Sequence, residues 1–214
     1  MFVHTNDISG PANSIRLKIK WEQWMSPIIE KYCSLNTISL DIGSHIGTHA
    51  LQMAAHSQLV YAFEPNSHSF QTLKLNCSGS PNIKLFPFAV GNKTEQVQFN
   101  RMTINSRSFV EHFSNVIYVQ QISIDDLQLP KVGFIKIDIE GGEVSAFKGM
   151  MKTLQRWQPI IVYEDHDGQN SLFLQTKHNY HIHRINTTNY IAMPESTHSH
   201  GSTGLFRGTC SSWR

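Results

Sequence analysis

The stretch SLDIGSHIGTHALQMAAHSQLVYAFEPN, residues 39–66, decides the fold class. Its first run is rich in apolar and β-branched residues and ends in an acid and a glycine, Asp41 and Gly43, which is typical of a buried parallel strand before a tight turn. A helical run follows from Thr48, a residue suited to an N-cap. A second strand-like run then closes at Glu64. The stretch therefore predicts a strand, turn, helix and strand of a parallel α/β sheet.

The same alternation continues along the chain. Later runs predict these elements: a helix over Asn66–Ser78, a strand over Asn82–Gly91, a strand ending at Asp138, a helix over Glu143–Trp157 and a strand over Gln158–His166. A late hairpin formed by NYHIHRI and NYIAM adds an antiparallel edge, and GLFRG is a further candidate strand. Residues 1–14 are expected to form an irregular arm, and Pro27 divides the helical pattern of Ile15–Tyr32 into two short helices.

Composition restricts the class of protein. The chain has 214 residues, of which 40% are hydrophobic and 16% charged, which suits one globular domain. A net charge of +2 is too small to indicate nucleic-acid binding. Three scattered cysteines indicate a reducing compartment, and neither a signal peptide nor a transmembrane run is predicted. We therefore expect a cytoplasmic protein, and a homo-oligomer is left open.

The glycine turn predicts a nucleoside-containing ligand. Gly43 and Gly47 allow positive φ angles and a close approach of the backbone to a ligand. Glu64 closes the next strand, where an acid accepts the hydroxyl groups of a ribose. A dinucleotide site would have a third glycine and a helix N-terminus aimed at pyrophosphate. Since S-adenosylmethionine carries no phosphate, the turn favours S-adenosylmethionine over a nicotinamide cofactor.

Acids follow several of the predicted parallel strands. In such sheets ligands bind beyond the carboxyl ends of the strands, which meet at one edge. The acids at that edge are Asp41, Glu64, Asp138, Glu140 and Glu164. Asp138 and Glu140 are two residues apart, so on a strand they would point to the same face. Lys136 shares that face and is expected to pair with Asp138.

Several blocks of sequence together resemble one family. They are LDIGSHIGTHAL, VYAFEPNSHSFQTLKLN, SIDDL, FIKIDIEGGEVSAFKGM and PIIVYE, spread over about residues 36–165. In content and order the chain resembles the FkbM-type S-adenosylmethionine-dependent methyltransferases. The resemblance implies a Rossmann-like class I methyltransferase fold: a mostly parallel seven-stranded sheet, an antiparallel strand near one edge and helices on both faces. It also implies methyl transfer to a hydroxyl group, often on a sugar or a sugar-bearing natural product.

The resemblance also implies roles for individual residues. Those implied to bind the cofactor are Asp41, Gly43, Ser44, His45, Gly47, Glu64, Pro65, Asn66 and Asp138. Glu64 would hold the ribose, and Glu140 would face the substrate. Asn66, Asp125 and Asp126 would lie near the adenine or support its pocket. His45 departs from the family, which usually has Asn there; its imidazole could replace the amide's hydrogen bond or reach the cofactor carboxylate.

Two chemistries for the proton remain open from the sequence. An alcohol is a weak nucleophile near neutral pH, so a general base or a metal must assist it. In the first arrangement His166, Glu164 or Asp138 takes the proton directly. In the second, Asp138, Glu164 and Asp165 bind Mg²⁺ or a similar divalent cation, which lowers the pKa of the hydroxyl group.

The leading hypothesis is therefore an S-adenosylmethionine-dependent O-methyltransferase that acts on a sugar or glycan. The alternatives are methylation of a polyketide or another small hydroxylated metabolite, and a non-catalytic module that binds S-adenosylmethionine. Residues 1–35 are expected to form an arm and helices that cover the site. Residues 36–214 are expected to form the methyltransferase domain.

Overall fold

The computed structural model describes residues 1–4, 7, 9–100 and 116–195. The strands in this part of the chain are β1 (Ile38–Ile42), β2 (Leu59–Phe63), β3 (Ile83–Phe86), β4 (Ala89–Val90), β5 (Glu95–Asn100), β6 (Val116–Ile122), β7 (Val132–Ile137), β8 (Ile160–Glu164), β9 (Tyr180–Arg184) and β10 (Asn189–Pro194). The helices are α1 (Gly10–Arg16), α2 (Met25–Tyr32), α3 (Thr48–Ala54), α4 (Ser67–Cys77), α5 (Glu143–Lys148), α6 (Met151–Trp157) and α7 (Gln169–His178).

A seven-stranded sheet organises the molecule. Its strand order is β3-β2-β1-β7-β8-β10-β9, and the pairs from β3 to β8 are parallel. Strand β10 is antiparallel to both of its neighbours, β8 and β9. The predicted Rossmann-like sheet with an antiparallel strand near one edge is thereby confirmed, as is the late hairpin.

Two apolar cores cover the two faces of this sheet. Leu40 and Ile42 of β1 pack into the core that contains Phe147 and Leu154 of α5 and α6. The other core contains residues of α2 and α3, such as Met25 and Met53, together with residues of β2, β7, β8 and β10. Because side chains alternate along a strand, Asp41 of β1 lies on the α2–α3 face. This alternation places Asp41, near the end of β1, on a face that is otherwise largely apolar.

A second, three-stranded sheet was not predicted. Its order is β4-β6-β5, with β4 parallel and β5 antiparallel to β6. The strand predicted over Asn82–Gly91 is interrupted at Pro87, whose missing N–H cannot continue a ladder: β3 ends at Phe86, and Ala89–Val90 form β4 of the second sheet. The candidate strand GLFRG lies outside the described residues.

Two helix predictions also need correction. Helix α1 begins at Gly10, within the expected irregular arm, and Ser9 caps it by accepting a hydrogen bond from the backbone N–H of Ala12. Pro27 occupies the first turn of α2, so the break between the two helices lies before it. The predicted helix over Glu143–Trp157 is divided near Gly149, where a Cβ atom would overlap the backbone of Gly91, the residue after β4.

The sheet places the carboxyl ends of β1, β2, β7 and β8 side by side at one edge. The glycine turn follows β1, and charged residues follow the other strands. Among the helices of the described residues, none has the length and apolar character needed to cross a membrane.

Candidate functional site

The turn after β1 has the conformation that its glycines predict. Gly43 has φ +82°, His45 φ +48° and Gly47 φ +91°. A Cβ atom on Gly43 would overlap the backbone carbonyl of Asp138, so the turn and the end of β7 are in direct contact. The Ser44 hydroxyl donates to the Asp41 carbonyl at 2.7 Å. This segment, residues 43–47, is called the glycine turn below.

Glu64 lies at the end of β2 beside the glycine turn. Its Oε2 accepts the backbone N–H of His45 at 2.9 Å, and its Oε1 accepts that of Asn66 at 2.8 Å. Burial raises the pKa of Glu64 to about 7, although these two hydrogen bonds oppose the increase. An ionised carboxylate has about four acceptor positions, so each oxygen retains one for a ligand hydroxyl. The carboxylate is therefore suited to a diol such as that of a ribose.

Asn66 contributes to the site through its backbone. Its side-chain Oδ1 accepts the backbone N–H groups of His68 and Ser69, at 2.9 and 3.2 Å, and so caps α4. Pro65, between Glu64 and Asn66, is half-buried. These two residues support the position of Glu64 at the start of α4.

A buried lysine joins the glycine turn to the end of β7. Lys136 Nζ lies 3.3 Å from the Gly43 carbonyl oxygen, 3.3 Å from Asp138 Oδ2 and 3.9 Å from Asp41 Oδ1. Burial opposes the lysine charge, but Asp138, Asp41 and Glu22 together raise the pKa of Lys136. Lys136 in turn holds the pKa of Asp138 below its usual range, against the effect of burial. The expected pairing of Lys136 with Asp138 is confirmed.

Asp41 is fully buried, and neither of its carboxylate oxygens has a hydrogen-bond partner among the described residues. Lys136 supplies charge nearby but is too distant for a hydrogen bond. A buried carboxylate with unused acceptors is unusual in a folded protein. The Asp41 carboxylate therefore has acceptor positions available to a ligand that presents a hydrogen-bond donor.

The sequence predicted that Asp138 and Glu140, the two acids after β7, would share one strand face. In the structure they do not. Strand β7 ends at Ile137, and Glu140 has a left-handed backbone with φ +54°. Glu143 Oε1 accepts the backbone N–H groups of Ile139 and Gly141 and so shapes this loop. Burial, then the charges of Asp138 and Glu164, raises the pKa of Glu140. The loop conformation, rather than strand alternation, therefore brings Glu140 close enough to the other acids for their charges to affect it.

At the end of β8, Glu164 and Asp165 point to different surroundings. His166 Nε2 lies 3.4 Å from Glu164 Oε2, and the His166 side chain is 66% exposed. Asp165 is buried and accepts hydrogen bonds from the Gly168 N–H and from the N–H and hydroxyl of Ser171, at the start of α7.

The structure does not bring together the predicted Mg²⁺ ligand set of Asp138, Glu164 and Asp165. Successive residues at a strand end face opposite ways, so Glu164 and Asp165 do not converge. Within the described ranges, no three His, Cys, Asp or Glu side chains are grouped so that they could hold a metal ion.

Asp125 and Asp126 have structural partners. Asp125 accepts the backbone N–H groups of Lys152 and Thr153, both at 2.9 Å, at the start of α6. Asp126 accepts the Thr94 hydroxyl at 2.6 Å. Asp125 therefore caps α6, and its expected role at or beside the adenine stays a prediction.

Sequence reasoning missed three residues that lie in or against the region of the glycine turn: Asp7, Glu22 and His49. His49, in the first turn of α3, places Nε2 2.8 Å from Oε2 of Glu22, which lies between α1 and α2. Asp7 is also close, with Oδ2 3.8 Å from His45 Nε2. No local pattern relates Glu22 to His49, since 27 residues separate them.

A cavity of about 430 Å³ lies elsewhere, beside the outer surface of α3. Its lining includes Trp21, Ile29, Leu51 and His56. None of the acids at the strand ends lines it, so the chemistry described above does not belong to this cavity.

Comparison with known proteins shows the family of the chain. Residues 41–190 match the methyltransferase FkbM domain. Over 156 residues the chain is 28% identical to hexuronic acid methyltransferase AglP of Haloferax volcanii, covering 70% of this chain and 64% of AglP. This chain therefore spans less than two thirds of that relative.

Solved structures share the fold. Methyltransferase FkbM from Methylobacillus flagellatus KT has a TM-score of 0.57 and 21% identity, over 74% of this chain and 44% of that one. A Streptococcus mutans protein solved in complex with SAH has a TM-score of 0.51 and 11% identity, over 80% of this chain and 94% of that one. Since the FkbM domain match extends over most of the described residues, the chain belongs to the family of FkbM-domain methyltransferases.

Proposed function

We propose that this chain is an S-adenosylmethionine-dependent O-methyltransferase that acts on a hydroxyl group of a sugar or glycan. The observation that carries the proposal is the Glu64 carboxylate, which two backbone N–H groups fix beside the glycine turn with acceptor positions to spare. Family membership supports methyl transfer. The name of AglP, a hexuronic acid methyltransferase, supports a sugar acceptor.

The residues of the glycine turn fit this cofactor. Glu64 would accept the ribose hydroxyl groups, and Gly43 and Gly47 let the backbone approach the ligand closely. Asp41 presents a buried carboxylate with unused acceptors. Ser44 fixes the turn through the Asp41 carbonyl, while Pro65 and Asn66 would flank the adenosine, which we propose from the family resemblance.

Bound S-adenosylmethionine supplies an electrophilic methyl group: the acceptor oxygen bonds to its carbon, the carbon–sulfur bond breaks, and S-adenosylhomocysteine and a proton are released. The chain must hold the hydroxyl in line with that methyl and accept the proton. Asp138 is a poor proton acceptor, because Lys136 stabilises its charged form. We assign Asp138 and Glu140 to holding the acceptor hydroxyl.

His166 is the proposed general base, with Glu164 orienting its ring. The 3.4 Å separation of His166 Nε2 from Glu164 Oε2 places a carboxylate beside the imidazole, which stabilises the imidazolium formed on proton transfer. Its 66% exposure leaves the ring accessible to an acceptor from solvent. Residues 1–35 are proposed to cover the site, since Asp7 lies close to His45 of the glycine turn and Glu22 contacts His49 just after it.

The test is to incubate the protein with S-adenosylmethionine and a panel of neutral hexosides, deoxysugar glycosides and hexuronic acids, with Mg²⁺ and with EDTA. Mass spectrometry should detect a gain of one methylene unit on one class of sugar. The His166→Gln variant should retain cofactor binding and lose about 10²-fold or more in rate. Methylation confined to phenolic or polyketide hydroxyls, with no sugar modified, would contradict the proposed acceptor.

A further inference from the structure

Exposed apolar side chains are concentrated at one place on the surface. Of the nine large apolar side chains that are exposed in the described part of the chain, four lie in residues 1–4 and 16–20. They are Met1, Phe2, Leu17 and Ile19, each more than half exposed. Met1 and Ile19 both line the cavity beside α3, so the two segments are neighbours in space. Single exposed apolar residues are common, but a cluster of them usually marks an interaction surface.

Basic residues alternate with apolar ones in residues 16–20, which we call the basic apolar segment. Its sequence is RLKIK, and all five residues are exposed. Arg16 donates hydrogen bonds to the His4 carbonyl at 2.8 Å and to Asn13 Oδ1 at 2.9 Å, which ties the segment to residues 1–4. None of the ion pairs among the described residues includes Lys18 or Lys20. Their charges are therefore available to a partner.

The backbone holds this segment in a defined conformation. The N–H of Lys18 donates to the Ile15 carbonyl at 3.1 Å, and the N–H of Ile19 donates to the Ser14 carbonyl at 2.9 Å. These two bonds form a Schellman motif, in which the position of Lys18, with φ +56°, is usually glycine. An apolar residue at the position of Ile19 commonly packs back onto the helix, yet Ile19 is more than half exposed. The segment is thus ordered without burial of its apolar side chains.

This combination of side chains suits the surface of an anionic bilayer. Apolar side chains can enter the boundary between lipid headgroups and acyl chains. A lysine stem lies along apolar surface while its ammonium group reaches a lipid phosphate. A second copy of this chain fits less well, because a two-fold contact would place Lys18 and Lys20 against the same cations of that copy.

We propose that the basic apolar segment, together with residues 1–2, docks the protein on the surface of an anionic bilayer. Leu17 and Ile19 enter the headgroup region, and the two lysines contact lipid phosphates. The cavity beside α3 continues the apolar surface inward from Ile19, and its lining does not include the acids at the strand ends. The inference does not depend on the proposed methyl transfer.

Vesicle co-sedimentation tests the inference without cofactor or acceptor. Vesicles of phosphatidylcholine alone are compared with vesicles that also contain about 30% phosphatidylglycerol, so that the anionic headgroup is the variable. The double variant Lys18→Gln/Lys20→Gln removes charge from the segment. The variant Leu17→Ser removes an apolar side chain.

The matched controls change exposed residues on the opposite face of the main sheet. Helices α6 and α7 pack into the core that contains Phe147, whereas α2 and α3 belong to the other core. The controls are Lys152→Gln/Lys177→Gln and Leu172→Ser. All the substituted residues are exposed, so thermal unfolding of every variant should match that of the wild type.

The wild type should bind the anionic vesicles and bind the neutral ones at least about tenfold more weakly. Lys18→Gln/Lys20→Gln should weaken binding about 25-fold, or about fivefold for each charge. Leu17→Ser should weaken it about tenfold, and the controls should stay within about twofold of the wild type. An ionic strength of about 1 M, at which the Debye length is about 3 Å, should release most of the wild type.

No binding to anionic vesicles, equal binding to both kinds of vesicle, or an equal loss in the control variants would overturn the inference. A wild type that binds no vesicle but forms a dimer that Leu17→Ser dissociates would assign the surface to a second copy, and would overturn it equally. Vesicle binding by a protein that methylates no sugar would support the inference and contradict the proposed function. Methylation without vesicle binding would do the reverse.

Discussion

Cofactor affinity should depend on pH through the carboxyl group of Glu64. Burial raises its pKa from 4.5 to about 7 in the ligand-free protein. The backbone N–H groups of Asn66 and His45 and the charge of Lys136 oppose this, and Asp41 adds to it. As the pH falls through about 7, Glu64 of the folded protein binds a proton and its carboxylate loses its charge.

The size of the effect can be estimated from this pKa. Each carboxylate oxygen of Glu64 already accepts one backbone N–H. Protonation takes up a further acceptor position on one of these oxygens, so neutral Glu64 is a poor partner for a ribose diol. About one molecule in eleven carries the charge at pH 6, and about ten in eleven at pH 8. If only the ionised form binds, the affinity for an adenosine ligand falls about tenfold between these pH values.

The assay is calorimetric titration of 5′-methylthioadenosine at several pH values between about 6 and 8. This ligand carries the ribose but no amino-acid end, so protein groups that would contact the amino acid should contribute little to the slope. A Glu64→Gln variant, which is never charged, should bind weakly at every pH and show no slope. A wild-type affinity that is constant across this range, or a slope that persists in Glu64→Gln, would refute the reasoning.

Three further variants test the supporting structure by urea denaturation. Gly43→Ala should reduce the free energy of unfolding by about 2–4 kcal/mol, because it adds a Cβ atom at φ +82° against the Asp138 carbonyl; a loss below about 1 kcal/mol would contradict this. Lys136→Met should reduce the free energy of unfolding by about 3 kcal/mol or more, because Asp41 and Asp138 lose the nearby cation. An unchanged free energy of unfolding would show that the lysine charge is not needed. Asp125→Ala should cost about 1–2 kcal/mol through the cap of α6 and leave cofactor affinity unaltered; a weakened affinity would return Asp125 to the adenine pocket.

The strand, turn and helix of residues 39–66 were predictable because their determinants are local. Apolar runs define β1 and β2, and the positive φ angles of Gly43 and Gly47 are those that glycine favours. The position of Glu64 at the end of β2 follows from the same pattern. The pairing of Lys136 with Asp138 was also predictable, since it depends on alternation at the end of one strand.

Features that depend on distant residues were not predictable. The two-residue strand β4 exists because it pairs with β6, about 30 residues later. Gly149, at the break between α5 and α6, packs against the backbone of Gly91, the residue after β4, and this contact joins residues 58 positions apart. The hydrogen bonds that Asp165 accepts at the start of α7 depend on where that helix lies, so the sequence did not reveal them. The contact between Glu22 and His49 likewise requires the fold.

The central position of β1 has a consequence for synthesis of the protein. Strand β1 pairs with β7, yet β7 is translated about 90 residues later. At roughly 5–20 residues per second, one edge of β1 stays without its partner for about 5–20 s. An unpaired strand edge is a template for aggregation. Truncated chains that stop before Val132 would contain the whole glycine turn and still expose this edge, so we expect them to aggregate rather than bind the cofactor.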